Sequence, residues 1–221
     1  MASRLLTGSR GADASSATNV NRIGRLALIA AVVGPIQVVL GSAIAGSLWS
    51  GYDPIVRTIS DLAADDSPVQ WIMSSFFILG GTMSIFAAIS AKVLALPGRI
   101  AILAGGLATY GLTIFTTPSQ TGFSTPHRVF AIISFILFSA WPLLAMRFKK
   151  DYPPVVRPFA SIVATLIFTV ISLWFLSTWT DPNATNVGIV ERIIAVSQSW
   201  YLAAVVWISW VWERKRLSSQ P

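Results

Sequence analysis

Most of the side chains that could do chemistry lie in three short polar segments of this sequence. The first segment, residues 51–64, holds Arg57 and Asp61, which are four apart and would share one face of a short helix. The second, residues 121–128, ends with the single histidine beside an arginine, and the third, residues 181–192, ends with a glutamate beside an arginine. A glutamine follows that glutamate by seven residues, on nearly the same helical face and about 10 Å further along the helix. The candidate ligand-binding residues are Arg57, Asp61, His127, Arg128, Glu191, Arg192 and Gln198.

His127 has the most versatile chemistry of this set. With Thr125 as a helix cap and Pro126 in the first turn, it would lie at a positive helix end, where the helix dipole disfavours the charged imidazole. A neutral imidazole can donate or accept a proton, or bind a metal. A zinc hydrolase usually needs several histidines, however, and lone serines such as Ser60 and Ser124 are more typical of helix caps than of nucleophiles. The pattern therefore identifies no catalytic residue and predicts neither a metal site nor a cofactor.

Six long runs without any Asp, Glu, Lys, Arg or His residue surround these segments. The runs are 26–52, 67–91, 100–126, 129–146, 158–180 and 193–212. Each run has about 18 residues or more, and a helix needs about 20 mainly apolar residues to cross the hydrocarbon core of a bilayer. The whole chain is 54% hydrophobic and 11% charged, whereas an ordinary soluble domain is roughly 25% charged. The sequence predicts an all-α polytopic membrane protein, a bundle of six transmembrane helices with short loops.

The basic residues predict how this bundle is oriented. Six spans place both termini on one side of the membrane, and the flanks on that side hold thirteen of the sixteen Lys and Arg residues. Only Arg57, Arg128 and Arg192 lie on the opposite flanks. Because flanks rich in Lys and Arg stay in the cytoplasm, we expect a protein of the cell (plasma or inner) membrane with both termini cytoplasmic. The net charge of +7 then faces anionic lipid headgroups and does not indicate a nucleic-acid partner.

The sequence divides into three parts. Residues 1–21 are rich in Ser, Ala, Gly and Arg and are predicted to form a disordered cytoplasmic tail. Residues 22–213 form the six-helix transmembrane domain, and residues 214–221 a cytoplasmic C-terminal tail. Paired glycines at 80–81 and 105–106, in the second and third helices, are typical of close helix contacts in membranes. The chain has no cysteine, which excludes disulfides and thiolate chemistry.

Three stretches of the chain resemble a known bacterial family. They are Tyr52-Asp53-Pro54 through Thr58-Ile59-Ser60-Asp61-Leu62, His127-Arg128-Val129-Phe130-Ala131, and Gly188-Ile189-Val190-Glu191-Arg192. Over about residues 22–213 the chain is similar to the family filed as domain of unknown function nine-nine-eight. The resemblance implies a six-helix membrane protein of a type common in actinobacteria, with these polar motifs as a shared feature of the outer face. It implies no reaction.

Several functions are compatible with these patterns. The outer charges could simply form salt bridges that tie the helix ends together. The first functional hypothesis is a non-catalytic protein that binds a lipid or other amphiphile at an outward-facing polar site over an apolar cavity, with arginines holding the headgroup. The rival is a membrane enzyme acting on a lipid of the outer leaflet, with His127 and a carboxylate as acid and base. A third is an accessory subunit of a membrane complex; the possible partners are then membrane lipids, an amphiphilic small molecule, a second copy or another membrane protein.

The outer charges also carry a structural expectation. An unpaired charge at the edge of a low-dielectric bundle is costly. We therefore expect Asp61 or Glu191 to form a salt bridge with an arginine of another segment, Arg128 or Arg192.

The predicted orientation can be tested by cysteine labelling, since the native chain has no cysteine. Lys149 and Lys150 should be cytoplasmic, and Arg57 and Asp61 extracytoplasmic. An impermeant thiol reagent added to intact cells should label Arg57→Cys and leave Lys150→Cys unlabelled. Labelling of position 150 from outside would reverse the predicted orientation.

Overall fold

The chain is described by a computed structural model that covers residues 22–119 and 121–219. The tail predicted over residues 1–21 lies outside the described residues, as do the last two residues of the tail predicted over 214–221. The described residues form six α-helices and two short 3-10 helices. The α-helices are α1 (Arg25–Ser47), α2 (Gln70–Ser90), α3 (Leu96–Ile114), α4 (Thr125–Leu144), α5 (Pro158–Thr180) and α6 (Val187–Ser218), and the 3-10 helices span Ser60–Ala63 and Pro154–Val156.

Five of the six helices, all except α3, are long and apolar enough to cross a membrane. The prediction of an all-α protein with membrane-type helices is confirmed at this level. α3 differs because it begins before the run 100–126 that predicted it and so includes Arg99. Arg99, several glycines, Thr109 and Tyr110 lower its mean hydropathy. Eight of its 19 residues are buried, and it packs against both α2 and α4. Small side chains let α3 approach its neighbours closely, at the expense of hydropathy.

The helices form a closed ring. Each helix packs against the next one along the chain, and α6 returns to pack against α1. Consecutive helices run in opposite directions, so their ends gather at two opposite ends of the bundle. The basic end contains residues 22–24, 91–95, 145–157 and 213–219. The acidic end contains residues 48–69, 115–119, 121–128 and 181–192, which include the first turns of α4 and α6. α3 starts at the basic end and finishes at the acidic end, as an up-and-down bundle requires.

Arginines hold the basic end together. Arg22 forms salt bridges with Asp151 at 3.2 Å and with Glu213 at 4.0 Å. Arg147 donates hydrogen bonds to the carbonyls of Lys92, Val93 and Leu94, which belong to the turn between α2 and α3. Because these guanidinium groups bind the protein itself, part of the basic charge that marks this end is structural.

Two helix termini differ in detail from the sequence-based expectations. The cap of α4 is Ser124, whose hydroxyl oxygen accepts a hydrogen bond from the His127 N–H at 3.4 Å, whereas Thr125 is the first helical residue. Pro126 lies in the first turn, as expected. At the other end of the chain, α6 continues to Ser218, so that residues 214–218 of the predicted tail are helical.

The paired glycines bring α2 and α3 into contact. A methyl group at Gly81 would lie 2.8 Å from the carbonyl oxygen of Gly106, and one at Gly106 would lie 2.9 Å from the carbonyl oxygen of Gly81. The two backbones therefore touch, which confirms the close interface that the glycine pairs predicted.

This contact generates a prediction about stability. Gly106→Ala should destabilise the bundle by about 1–3 kcal/mol, because the added methyl forces the two backbones apart. Gly34→Ala is the matched control, because its new methyl would meet no atom closer than 3.5 Å. Thermal unfolding of both variants in detergent checks the difference. Equal melting temperatures would show that the α2–α3 backbone contact is not limiting.

Candidate functional site

The acidic end is covered by the segment between α1 and α2. This capping loop, residues 52–69, folds back over the ring, and its side chains Ile59, Leu62 and Ala63 are buried against Val69 and Met73. The apolar side chains of Ile59 and Leu62 thus point into the bundle, whereas that of Ile55 is exposed.

The start of α6 lies directly against the capping loop. The Ile189 N–H donates to the carbonyl of Ile55 at 3.0 Å. Gly188 has no room for a side chain, because an added methyl would overlap the carbonyl oxygens of Arg57 and Pro54. The loop and the first turn of α6 thus form one packed unit.

Arg192 fixes the first half of the capping loop. Its Nη1 donates to the carbonyls of Pro54 at 2.8 Å, Arg57 at 2.9 Å and Gly188 at 3.0 Å, and its Nη2 donates to the hydroxyl of Tyr52. Burial raises the pKa of Tyr52 to about 12, so the hydroxyl stays protonated. That hydroxyl donates to the carbonyl of Thr58 at 2.8 Å. Arg192 therefore binds the main chain of the loop, and most of its N–H groups already have acceptors within the protein.

Glu191 fixes the second half of the capping loop. Its side chain is 6% exposed and accepts hydrogen bonds from the main-chain N–H of Ile59 and, at 3.4 Å, from the hydroxyl of Ser60. Among the described residues no Lys, Arg or His nitrogen lies within 4 Å of this carboxyl group. Glu191 is thus the only acidic residue at this end that is held almost entirely inside the protein.

The remaining acids of the capping loop are bound locally. Asp61 accepts a hydrogen bond from the Thr58 N–H at 2.9 Å, while its own N–H donates to the Thr58 hydroxyl at 3.0 Å. Burial raises the pKa of Asp61, and the hydrogen bonds with Thr58 and the charges of Arg57 and Arg192 oppose that rise. Asp65 accepts from the Thr116 hydroxyl at 2.6 Å and joins the loop to the end of α3.

The prediction that Asp61 or Glu191 forms a salt bridge with an arginine of another segment is wrong. In residues 22–119 and 121–219 the salt bridges are those of Arg22, at the opposite end of the bundle. The physical reason is that the loop backbone supplies the partners: N–H groups bind the two carboxyl groups, and carbonyls bind Arg192. Arg57 takes no ion pair either, and its guanidinium lies 5.9 Å from the ring centre of Trp49.

His127 and Arg128 belong to a different part of the acidic end. The His127 ring is 3% exposed, and its Nδ1 lies 2.9 Å from the carbonyl oxygen of Phe115 at the end of α3. Its Nε2 is buried without a hydrogen-bond partner among the described residues. Arg128 is exposed and stacks over Phe123 at 4.1 Å and Trp179 at 5.1 Å, bridging the loop before α4 and the end of α5.

A cavity lies inside the ring, beneath the capping loop. Its volume is about 150 Å³, and it is lined by residues of α1, α2, α3, α4 and α6 and by the loop residues Ile59 and Ser60. The walls are mainly apolar. The polar residues that line it are Gln37, Ser60, Ser84, Thr109, Ser134, Glu191, Gln198 and Ser199. Glu191 is the one ionisable side chain in this lining.

Two glutamines face this cavity from α1 and α6. Gln198 is 5% exposed and donates through Nε2 to the Ser139 hydroxyl at 3.0 Å. The Gln37 amide lies against Gly80 in the middle of the bundle and has no hydrogen-bond partner among the described residues. Gln37 is half-buried, so its amide is available to hydrogen-bond a water or a ligand in the cavity.

A family model described as protein of unknown function (DUF998) matches residues 32–208 of the chain. The chain belongs to this family. No curated protein and no solved structure matches it. The part that matches the DUF998 family contains the capping loop and the whole cavity lining except Ala30.

Within this DUF998 fold the seven candidate residues separate into three groups. Glu191 and Gln198 line the cavity; Arg57, Asp61 and Arg192 belong to the capping loop and its contact with α6; His127 and Arg128 lie at the junction of α3, α4 and α5. Sequence reasoning missed Gln37 as a site residue. Its signal was present, because Gln37 and Gln198 are the two amides deep within the apolar runs.

No group of three His, Cys, Asp or Glu side chains within the described parts of the chain is placed to hold a metal ion. The chemistry that the lining offers is hydrogen bonding by amides and hydroxyls, together with one carboxyl group.

The role of Arg192 yields a prediction about loop mobility. Arg192→Leu leaves the carbonyls of Pro54 and Arg57 without their donor, which should destabilise the capping loop by about 1–3 kcal/mol. Hydrogen exchange measured by mass spectrometry should show faster exchange in residues 54–63. Arg128→Leu, which removes the same charge from the same end but only ring contacts, should leave that segment unchanged. Equal exchange in both variants would contradict the role assigned to Arg192.

Proposed function

We propose that this protein spans the membrane six times, with α3 as the sixth span and with both termini in the cytoplasm. α3 has 19 residues, and at 1.5 Å per residue its length of about 28 Å approaches the thickness of the hydrocarbon core. Its contacts with α2 and α4 cover much of its surface, so it needs less apolar character than a helix facing lipid. The distribution of Lys and Arg supports a cytoplasmic basic end.

We propose further that the central cavity binds a small amphiphilic molecule. The observation that carries this proposal is Gln37, an amide without a protein partner that faces a mainly apolar cavity in the middle of the bundle. Ligand pockets typically combine apolar walls with a few polar groups that fix orientation. Gln37 on α1 provides one such group, and Glu191 and Gln198, two turns apart on α6, provide the others.

The cavity volume limits the size of this ligand. An apolar cavity of about 150 Å³ can hold a molecule of the size of benzene. The cavity of this protein, at about 150 Å³, accommodates one ring or a short chain with a compact polar group, and it is too small for an entire phospholipid. The lipid-binding hypothesis therefore narrows to a small amphiphile or to one end of a longer one.

The arginines have a different role from the one that the sequence suggested. Arg192 donates to three carbonyls and to Tyr52, and Arg128 stacks on two rings; neither lines the cavity. A headgroup bound by paired arginines would have to displace these contacts. We therefore assign the polar part of the ligand to the glutamines and to Glu191.

One observation favours the alternative of an enzyme at the outer leaflet, namely the partnerless Nε2 of His127. A ring nitrogen in this state could accept a proton. Against this, the other ring nitrogen binds a main-chain carbonyl rather than a carboxylate, and the ring is not part of the cavity lining. Binding in the cavity is accordingly the better supported function.

Native mass spectrometry of the detergent-purified protein tests cavity binding. Ala195 lines the cavity on α6, and Ala195→Phe should fill it and abolish retention of a co-purified small molecule. Ala204→Phe, the same change at an exposed position of the same helix, should leave retention as in the wild type. His127→Gln should also retain the molecule, although it replaces a buried ring that binds the Phe115 carbonyl and should therefore lower the stability by about 1–3 kcal/mol.

The outcomes separate the candidate functions. Absence of a bound molecule from the wild type, or equal retention in Ala195→Phe, would contradict binding in the cavity. Loss of the molecule from His127→Gln with unchanged melting temperature would move the site to the junction of α3 and α4, as the enzyme hypothesis requires.

A further inference from the structure

We propose that the molecule bound in the central cavity is an organic cation, a small lipophilic amine whose charged nitrogen lies beside Glu191. This inference rests on the proposed function and specifies the chemical class of its ligand. Three independent features of the described residues support it: the charge of the lining, its aromatic content and the charge balance of the acidic end.

The first feature is the isolated carboxyl group in the lining. Glu191 is the one ionisable side chain that reaches the cavity, and no protein cation lies within 4 Å of it in the described part of the chain. Arg192 and Asp61 act on it electrostatically from further away and in opposite senses. A buried carboxylate gains most from a partner of opposite charge, and a ligand ammonium would supply that partner.

The second feature is the aromatic content of the same walls. Four phenylalanines line the cavity, namely Phe76, Phe77, Phe135 and Phe138, from α2 and α4. The face of an aromatic ring attracts a cation, and the attraction grows when the cation leaves water. Phe135 is tied to the polar part of the lining, because its carbonyl lies 3.4 Å from the Gln198 amide nitrogen that donates to it. A neutral apolar ligand would use these rings too, but it would leave Glu191 unpaired.

The third feature is the charge of the end from which the cavity is covered. The acidic end carries six acids, Asp53, Asp61, Asp65, Asp66, Asp181 and Glu191, against three arginines. Such an excess of negative charge raises the local concentration of cations and disfavours anions. Fatty acids and other anionic amphiphiles would meet repulsion both there and at Glu191.

The test uses two probes with equal numbers of heavy atoms, benzylammonium and its neutral isostere ethylbenzene. Both fit the size of the cavity, and they differ in the group placed beside Glu191. Their binding to the full chain in nanodiscs is measured by equilibrium dialysis, with Ala195→Phe as the reference for partition into lipid. Glu191→Gln keeps an acceptor for the Ile59 N–H and removes the charge.

Glu191→Gln should weaken benzylammonium binding by about ten- to a hundredfold, the effect of losing a charge-assisted hydrogen bond. It should leave ethylbenzene binding unchanged. Glu191→Asp, which keeps the charge, should restore the preference for the cation. Asp53→Asn removes an exposed acid of the same end and should weaken benzylammonium binding far less than Glu191→Gln does, because Asp53 is outside the cavity lining and acts on the cation only from a distance.

Equal loss of both probes in Glu191→Gln, or no loss of benzylammonium, would overturn the inference. A wild type that binds ethylbenzene and not benzylammonium would overturn it too, without reference to any variant, while leaving the cavity as a binding site. If neither probe binds the wild type more than Ala195→Phe does, both this inference and the proposed function fail.

Discussion

Two adjacent side chains at the start of α6 satisfy the main chain of the capping loop. Glu191 accepts the N–H of Ile59, and Arg192 donates to the carbonyls of Pro54 and Arg57. Buried main-chain groups must be paired, and this demand is strictest where neither water nor a neighbouring strand can substitute. The burial of Ile59 and Leu62, the position of Ser60 and the closure of the cavity all depend on this pairing. Ion pairs at this end would leave the loop backbone unsatisfied, which is why the charges bind amides and carbonyls.

At both ends of the bundle, charged side chains bind main-chain groups. The basic end is densely packed, whereas a cavity lies towards the acidic end. At the basic end, arginines bind the turn between α2 and α3, and large side chains such as Trp141, Leu94 and Ile102 fill the space between the helices. Towards the acidic end, the glutamines, serines and Glu191 face one another across the ring without filling it. Well-packed interiors contain few voids larger than a water molecule. A cavity lined by polar side chains, one of them the Gln37 amide without a protein partner, is therefore a departure from the packing rule, and such departures are where function is expected.

The helices could be predicted from the sequence, and most of the contacts at the acidic end could not. Charge-free runs located all six helices because charge is excluded from a membrane interior, and only α3 fell short in apolar character. The glycine pairs correctly predicted the contact between α2 and α3, since their spacing is a local property. The hydrogen-bond partners of Glu191 and Arg192 depend on where the loop backbone lies, and no side-chain pattern in the sequence encodes that position. Thr125 was mistaken for the α4 cap because Ser124 and Thr125 are both suitable residues, and tertiary geometry selects between them.

Part of the candidate site was also within reach of the sequence. The helical periodicity predicted that Glu191 and Gln198 lie on nearly the same face of one helix, and both line the cavity. His127 was a candidate because it is the single histidine of the sequence. The rarity of a residue type does not place its side chain in a cavity, and His127 lies outside the lining. Gln37 and Gln198 are separated by nearly three-quarters of the chain, so only the packing of α6 against α1 brings the two amides to the same cavity.

A charge that binds main-chain atoms places no demand on the side chains attached to them. Arg192 binds the carbonyls of positions 54 and 57, so mutations there can accumulate without any compensating change at 192. Gly188 is the exception, because any side chain would overlap the same carbonyls. Methods that infer contacts from correlated substitutions would thus detect the helix pairs and overlook the attachment of the loop. The hydrogen bonds that attach the capping loop to α6 would then leave no covariation between the residues that form them.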